Sequence, residues 1–481
     1  MRKLTVFFLL IATLSSHAQT IKATSDAYKG YINNINDNGS NTLTINDHSF
    51  LMVTTKFTKP DATLTLLDTK YNTIWQTPEM ENYIAAALFQ GNILVISAKG
   101  AKARSRFNVK TLTATLLDKK NGQVITEKQI PVFSDKTTTD VSLLTDSVGN
   151  CKALLLRNTN QKNSYGSLFS FNADLDFAKT NNLQVVTFDK DLNVQQQTIN
   201  IPGLSDAQFI ADAAGDNSAL YFAYIINNNL IVEKYNTASM KTEGNIKAVL
   251  DFDNDVRPIT KTFLVVKNNI AFISGKLDEK RNSKSTFIIG RFNFNSGKGN
   301  VLQELEDRSY LKDADARGKN FESIEAFTYK NEFIVVKEAH AIKGGVYTPN
   351  GTTNTYFDFG PVLVSVYDST MHKIKDFTIN EAERIYYYVP SAGAALNGNK
   401  LYVFFNDNNW KLNSRAKYQV INLDNLSIGA DNEIELDHNL NTLMYAPCIQ
   451  WFGNTAVIPM TGNAHLLGGK IQTSYATVEF K

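Results

Sequence analysis

The residues with the clearest spacing for metal binding are three aspartates that alternate along one short segment. Asp251, Asp253 and Asp255 occur in DFDND, which matches the first three ligand positions of a calcium-binding loop. That loop needs Gly at its sixth position and a bidentate Glu at its twelfth, where this chain has Val256 and Thr262. We therefore interpret the segment as a solvated turn, with a calcium site as the alternative.

A second segment, FNADLDF, repeats this spacing with Asn172, Asp174 and Asp176, and the same two interpretations apply. The chain has no H-E-x-x-H, C-x-x-C or G-x-S-x-G motif, and its histidines do not occur at metal-ligand spacing. We therefore predict no metal site and no cofactor apart from the calcium alternative. The local sequence also identifies no catalytic residue.

Carboxylates recur in register along the chain, at the ends of strands predicted to be third in each repeat. Two carboxyl groups at the right separation can hydrolyse a glycosidic bond, but 47 Asp and Glu residues leave too many pairs for the sequence to select one. Recurrence in repeat after repeat is typical of turn chemistry, in which Asp accepts hydrogen bonds from the backbone that follows it. The set interpreted in this way is Asp68, Asp118, Asp189, Asp368 and Asp424.

The elements that must position any functional residue are short strands. After residue 20, runs rich in β-branched and aromatic residues alternate with Asn, Asp and Gly clusters, and helical spacing is hard to find. One element recurs, a polar turn followed by a strongly apolar strand, and such strands are typical of positions covered on both faces. The eight segments are 46–55, 91–100, 150–159, 217–226, 268–277, 331–340, 398–407 and 453–462.

Each apolar strand is followed by another strand, a turn and a more polar outer strand, and Asn121-Gly122 is the strongest hairpin signal among these turns. Repeats of roughly 45 to 68 residues with four strands each are typical of a β-propeller. We predict an all-β fold, a single β-propeller of about eight four-stranded blades, with seven as the alternative. The last repeat lacks an outer strand, which residues 20–30 would supply beside 473–481, so that N- and C-terminal strands close the ring.

In a propeller, the connection after the second strand and the connection between blades open on the same face. Most insertions are predicted after second strands, and they hold 20 basic and 8 acidic residues, a net charge of +12 on one face. Long connections on one face are typical positions for binding residues. The seven segments are 55–62, 99–111, 157–182, 276–285, 337–361, 406–417 and 463–472.

The densest positive segment is KGAKARSRFNVK, residues 99–110, which contains five basic residues and no acidic one. Arg binds carboxylate, sulfate or phosphate through two hydrogen bonds, and aromatic rings stack on sugars. The pattern indicates an anionic polysaccharide or envelope component as partner; the alternative is that the charges only keep the face soluble. The predicted ligand-binding residues are Lys99, Lys102, Arg104, Arg106, Lys110, Tyr347, Tyr356, Trp410 and Arg415.

The first residues predict export. Arg2 and Lys3 precede an apolar run over residues 4–14, and small residues surround a cleavage site between Ala18 and Gln19, as in a secretory signal peptide. No Cys follows the run, so we expect no lipid anchor, and no other stretch is long enough for a transmembrane segment. The predicted domains are residues 1–18, a signal peptide, and residues 19–481, the propeller of a periplasmic or secreted protein.

The net charge limits the class of partner, and the two cysteines allow at most one disulfide bond. Without Arg2 and Lys3 the 49 basic residues become 47, equal to the 47 acidic ones, so a nucleic-acid partner is not predicted. We predict a monomer. The two cysteines, Cys151 and Cys448, form one bridge or remain buried thiols.

The repeated Gly-Gly of kelch blades and the recurring Trp-Asp of WD repeats are missing from this chain. Its Ala-Gln cleavage site and its Asn-, Lys- and Ile-rich composition resemble those of secreted, uncharacterised β-propellers of the Bacteroidota type. The resemblance implies the fold and export, and it carries no functional residues.

Three functions are compatible with these patterns. The first is an exported, non-catalytic binding or scaffold protein whose basic face binds an anionic glycan or envelope component. The second is an extracytoplasmic hydrolase or lyase acting on an acidic polysaccharide, and the third is a structural envelope protein without a small ligand. The lack of a nucleophile motif favours the first.

The export hypothesis predicts the covalent form of the mature chain. We expect intact mass spectrometry of the exported protein to give a chain that begins at Gln19 and carries no lipid. A mass that still includes residues 1–18, or an added acyl group, would contradict it.

Overall fold

A computed structural model shows a ring of eight antiparallel β-sheets, the blades of one propeller. Among the described residues, no helix has the length and apolarity that a membrane span requires. The described ranges are 20–24, 28–29, 42–56, 59–99, 111–132, 138–146, 149–159, 180–199, 208–216, 218–252, 256–258, 261–279, 282–311, 319–347, 353–381, 383–385, 392–407, 415–434, 442–444, 446, 449–462 and 472–480.

The chain begins with two short strands and then forms the first four blades, each with its strands in order from the channel outwards. The N-terminal strands are β1 (Thr20–Thr24) and β2 (Tyr28–Lys29). Blade 1 is β3 (Thr42–Asn46), β4 (Ser49–Lys56), β5 (Lys59–Asp68) and β6 (Thr73–Gln76). Blade 2 is β7 (Tyr83–Phe89), β8 (Asn92–Lys99), β9 (Thr111–Leu117) and β10 (Val124–Pro131). Blade 3 is β11 (Thr138–Thr145), β12 (Cys151–Thr159), β13 (Thr180–Phe188) and β14 (Val194–Ile199). Blade 4 is β15 (Gln208–Ala214), β16 (Ala219–Ile226), β17 (Asn229–Asn236) and β18 (Lys241–Val249).

The last four blades have interrupted inner or outer strands. Blade 5 is β19 (Val256–Pro258) and β20 (Phe263–Lys267), then β21 (Ile270–Glu279), β22 (Asn282–Asn293) and β23 (Lys298–Leu305). Blade 6 is β24 (Asn320–Tyr329), β25 (Glu332–Tyr347), β26 (Thr353–Tyr367), β27 (Lys373–Ile379) and β28 (Glu383–Ile385). Blade 7 is β29 (Gly393–Asn397), β30 (Lys400–Asp407), β31 (Arg415–Asn422), β32 (Ser427–Ile428) and β33 (Asn432–Glu433). Blade 8 is β34 (Thr442–Met444), β35 (Gln450–Phe452), β36 (Thr455–Gly462) and β37 (Gln472–Glu479).

The predicted repeat is confirmed strand by strand. All eight apolar segments are second strands of blades, from β4 to β36, so the ring has eight blades rather than seven. These strands are covered on both faces by neighbouring blades, and a buried apolar cluster lies at each of the eight blade interfaces. The apolar runs are therefore a consequence of blade stacking.

Closure at the termini is also confirmed. Thr20 pairs with Glu479 and Thr24 with Ala476, so β1 is the outer strand of blade 8 next to β37. β2 pairs with the beginning of β37 through Tyr28 and Thr473. The first described residues and the last strand therefore share one sheet.

The Asn121-Gly122 turn shows why the sequence needs Gly at one position. Gly122 has a φ of +71°, a conformation that side chains rarely adopt. A Cβ atom there would lie 2.5 Å from the ring of Trp75, whose indole N–H donates to the carbonyl oxygen of Lys119. The turn of blade 2 thus packs under the outer strand of blade 1.

The recurring aspartates act as predicted at most turns. Asp189 accepts hydrogen bonds from the backbone N–H groups of Asp191 and Asn193, and the side-chain hydrogen bond from Asn193 lowers the pKa of Asp189. Corresponding backbone bonds are made by Asp68, Asp118 and Asp368.

Asp424 is the exception among the recurring aspartates. Its carboxylate bonds Lys330 and Tyr329 of blade 6, and these bonds lower its pKa to about 2. Asp424 lies in the turn between β31 and β32, as predicted, and its carboxylate in addition joins blades 6 and 7.

Cys151 is a buried free thiol at the beginning of β12, where it packs in the cluster between blades 2 and 3. Burial raises the pKa of this thiol to about 12, which keeps it protonated and unreactive at neutral pH. The structure therefore favours the buried-thiol alternative for Cys151, and Cys448 lies outside the described residues.

The aromatic cluster between blades 8 and 1 gives a test of the ring. Phe50 is fully buried, with its ring centroid 6.0 Å from those of Tyr71 and Phe452. We expect Phe50→Ala to lower the free energy of unfolding by about 3–5 kcal/mol in denaturant titrations. Ile74→Ala, at a residue 49 % exposed, is the matched control and should change it by less than about 0.5 kcal/mol. Equal effects of the two substitutions would contradict the assignment of this interface.

Candidate functional site

The two faces of the ring differ in the length of their connections. On the lower face, the turns after first and third strands are short, such as 47–48 and 118–123. On the upper face, β8 and β9 are separated by residues 100–110, β12 and β13 by 160–179, and β36 and β37 by 463–471. The long connections that follow second strands therefore have both of their ends on the upper face.

The structure places the predicted binding residues on the upper face only where it describes them. Lys99 is the last residue of β8, and Tyr347 and Tyr356 lie in the two long strands of the blade 6 hairpin. Arg415 begins β31 and is exposed, and its guanidinium lies 3.3 Å from the Glu433 carboxylate. The other predicted residues, Lys102, Arg104, Arg106, Lys110 and Trp410, lie outside the described residues.

Three of the seven predicted insertions are mostly strand. Residues 55–62, 276–285 and 337–361 extend the strands of blades 1, 5 and 6, and only 57–58, 280–281 and 348–352 separate these strands. Backbone pairing continues through these segments because β-branched and aromatic residues flank them, so the loop prediction was wrong there.

The charge tally changes as a result. Lys276 and Lys337 are buried, as are Glu279, Glu338 and Asp358. Leaving these five residues out reduces the tally to 18 basic and 5 acidic residues, which keeps the upper-face segments strongly positive.

The candidate calcium segments fall largely outside the described residues. Asp251 is exposed, and its backbone N–H binds the side-chain oxygen of Gln303. Asp253, Asp255 and the 172–176 segment are not described. Within the described part of the chain, no group of three His, Cys, Asp or Glu side chains could hold a metal ion.

Sequence reasoning missed a buried ionic seam between blades 5 and 6. Its cations, Lys276 and Lys337, lie on second strands and approach the ring of Phe287 at 5.4 and 4.5 Å. Lys276 Nζ lies 3.3 Å from the Glu306 carboxylate and donates to the carbonyl oxygen of Phe321. The seam divides the apolar packing of this interface into two clusters.

Glu304 is the centre of the second half of the ionic seam. It accepts a hydrogen bond from the Tyr367 hydroxyl at 2.8 Å and lies 3.4 Å from Lys373 and 3.8 Å from Lys337. Burial lowers the pKa of Lys337 to about 8, against the attraction of Glu304. Burial also raises the pKa of Tyr367. Ion pairs and hydrogen bonds thus compensate the cost of removing these charged groups from water.

A carboxyl cluster lies at the junction of blades 6 and 7. Glu338 of β25, Glu381 and Glu383 are all buried, and the backbone N–H of Ala392 donates to Glu338 Oε1 at 2.9 Å. Burial and the two nearby carboxylates raise the pKa of Glu338 well above its usual value. Glu338 therefore binds a proton more tightly in the folded protein than an exposed carboxyl group does.

The carboxyl cluster and the ionic seam join blades and do not form an open site. The three carboxyl groups are between 2 % and 6 % exposed, so a polymer on the surface cannot contact them. A sequence signal existed: the second strand of blade 6 reads VVKEAH and that of blade 5 reads ISGKLDE. The other six second strands carry at most two charged residues each, and β16 and β36 carry none. Within the described part of the chain, the ends of the long, basic connections lie on the upper face.

Comparisons with known proteins concern the fold alone. No family model matches the chain, and no curated protein matches it. Among solved structures, the Dos1 propeller is 9 % identical, with 92 % of this chain and 93 % of that chain covered and a TM-score of 0.48. The WD40 domain of SCAP from fission yeast is 9 % identical, with 91 % and 94 % covered and a TM-score of 0.41. A protein of unknown function from Bacteroides caccae is 8 % identical, with 69 % and 94 % covered and a TM-score of 0.29.

The carboxyl cluster predicts a pH dependence of stability. Because the folded chain binds the Glu338 proton more tightly than the unfolded chain, its stability falls as pH rises above the usual carboxyl pKa of 4.5 towards the raised value. Glu338→Gln keeps an acceptor for Ala392 and loses no proton. We expect its Tm at pH 8 to exceed that of wild type by at least about 2 °C, with the gain disappearing near pH 4.

The control for this experiment is Glu81→Gln, at an exposed carboxylate. It should leave the difference in Tm between pH 4 and pH 8 unchanged. A Glu338→Gln variant that is less stable than wild type at pH 8 would contradict the account.

Proposed function

We propose that this protein is an exported binding propeller whose upper face binds an anionic glycan or envelope component. The observation that carries the proposal is the asymmetry of the two faces: the connections that hold the excess of basic residues begin and end on the upper face. The lower face consists of tight turns, and in three of them Asp68, Asp189 and Asp368 accept hydrogen bonds from the backbone of the same turn.

Electrostatics supports the choice of an anionic partner. The chain after residue 18 is neutral, so basic segments on one face create a potential that attracts anions to that face. The peak is the segment between β8 and β9, where Lys99 begins a run of five basic residues without an acidic one. Exposed charges of this kind are screened by salt within about 10 Å at 0.1 M.

Aromatic residues near the same face support a sugar-containing partner. Tyr347 and Tyr356 occupy the part of the blade 6 hairpin that extends past the end of β24, which pairs only as far as His340 within the described chain. Aromatic rings together with cations suit a polymer that presents both sugar faces and acidic groups.

The test of the proposed function is a pair of charge-matched variants. We expect wild type to bind a sulfated or uronic-acid polysaccharide at low ionic strength, and binding to weaken as salt rises. Arg104→Ala with Arg106→Ala should weaken binding at least about tenfold without changing Tm, because the sequence predicts both charges in a loop and exposed loop charges add little to stability. Trp410→Ala should weaken binding if the indole stacks on the sugar.

The matched control removes two cations from the lower face. Lys120→Ala with Lys190→Ala changes the net charge equally, and both residues are exposed in turns.

Asp376, although on an outer strand, is unsuitable as a control because it accepts a hydrogen bond from Tyr310 and lies 3.2 Å from Lys373. Equal loss of binding in the two double variants, or no binding by wild type at low salt, would overturn the proposal.

A further inference from the structure

Two kinds of interaction close the ring between blades 8 and 1. One is backbone pairing, in which β1 and β2 lie along the outer edge of β37. The other is side-chain packing between the blades. Different segments of the chain make the two kinds of interaction, so the loss of one leaves the other in place.

The described packing contacts lie between blade 1 and strands β35 to β37 of blade 8. Phe50 and Tyr71 of blade 1 pack against Phe452 and Tyr475 of blade 8, with ring centroids 6.0 to 6.2 Å apart. The hydroxyl of Thr477 also donates to the carbonyl oxygen of Thr69 at 3.2 Å. Blade 1 therefore holds β37 in position directly.

Blade 7 fixes β37 from the other side. Ala476 and Val478 are fully buried in a cluster with Phe404 and Tyr418, and Phe480 completes this cluster. Since β36 pairs along the inner edge of β37, three neighbours hold this strand before β1 is counted. The outer edge of β37 is thus a preformed row of backbone donors and acceptors.

The strand that occupies this edge is short and interrupted. β1 has five residues and β2 has two, and the register with β37 shifts between Ile21 and Ala23. Residues 30–41 connect β2 to β3, and twelve extended residues span up to about 40 Å. The pairing depends on backbone hydrogen bonds, which do not distinguish between molecules. Residues 20–29 of another copy of this chain can therefore pair with β37 in the same register.

We propose that the outer edge of β37 is a strand-binding site whose occupant, residues 20–29, can be supplied by a second copy of this chain. A second copy is the fitting occupant because it brings the same residues in the same register, so exchange loses no contact. The resulting species is a strand-exchanged dimer in equilibrium with the self-closed monomer, and its fraction rises with concentration.

The first test releases the resident strand. A specific protease site placed within residues 30–41 is cut after folding, and a fluorescent peptide of residues 19–30 is added. We expect saturable binding by anisotropy, competition by the unlabelled peptide, and at least about tenfold weaker binding of a peptide with Ile21→Pro and Ala23→Pro. Cut protein that unfolds, or that binds the proline peptide equally well, would overturn the proposal.

The second test detects exchange between intact chains. Thr20 and Glu479 lie directly opposite each other, so Thr20→Cys in one chain and Glu479→Cys in another can form a disulfide only if the strand is exchanged. Both chains carry Cys151→Ala and Cys448→Ala, and they are refolded together and oxidised. We expect a mixed disulfide whose yield rises with concentration, well above that of a control pair with Glu81→Cys in place of Glu479→Cys. A yield equal to the control would contradict exchange, whereas the polysaccharide experiment above is unaffected by either result.

Discussion

Apolar second strands that need cover on both faces are the constraint on which the rest of the structure depends. Leu94 and Ile96 of blade 2 pack toward blade 3, while Ile93 and Val95 pack toward blade 1. A blade with one neighbour would leave one of these rows in water, at a cost of about 25 cal/mol for each Å² of apolar surface exposed. Stacking therefore continues until the last blade meets the first, and the chain forms a closed ring.

Closure in turn separates the connections into two faces with different freedom. The lower face repeats a tight turn in which an Asp such as Asp189 satisfies the following backbone, so its geometry resists insertion. On the upper face, the connections after second strands vary in length from two residues at 227–228 to twenty at 160–179. Variation in length and charge can accumulate on the upper face without disturbing the blades.

Much of the fold could be predicted from sequence because each second strand carries its own apolar signature, and turns such as Asn121-Gly122 mark the hairpins. The ionic seam could not, because Lys337 of blade 6 and Glu304 of blade 5 are 33 positions apart and meet only through blade stacking. The sequence also places Lys276 and Lys337 in loops, because both lie beside a predicted turn. In the structure the strands continue through these positions and both side chains are buried. Of the predicted binding residues, Lys99, Tyr347, Tyr356 and Arg415 lie in described strands, and the binding role of all nine remains a prediction.

The most direct measurement of the central claim, that the upper face binds an anionic partner, is lysine labelling with and without an acidic polysaccharide. The protein is acetylated briefly at low salt, digested, and quantified by mass spectrometry at each lysine. The account predicts that the polysaccharide protects Lys99, Lys102 and Lys110 while Lys120 and Lys190 on the lower face stay equally reactive. Protection of the lower-face lysines, or uniform protection of all five, would contradict it.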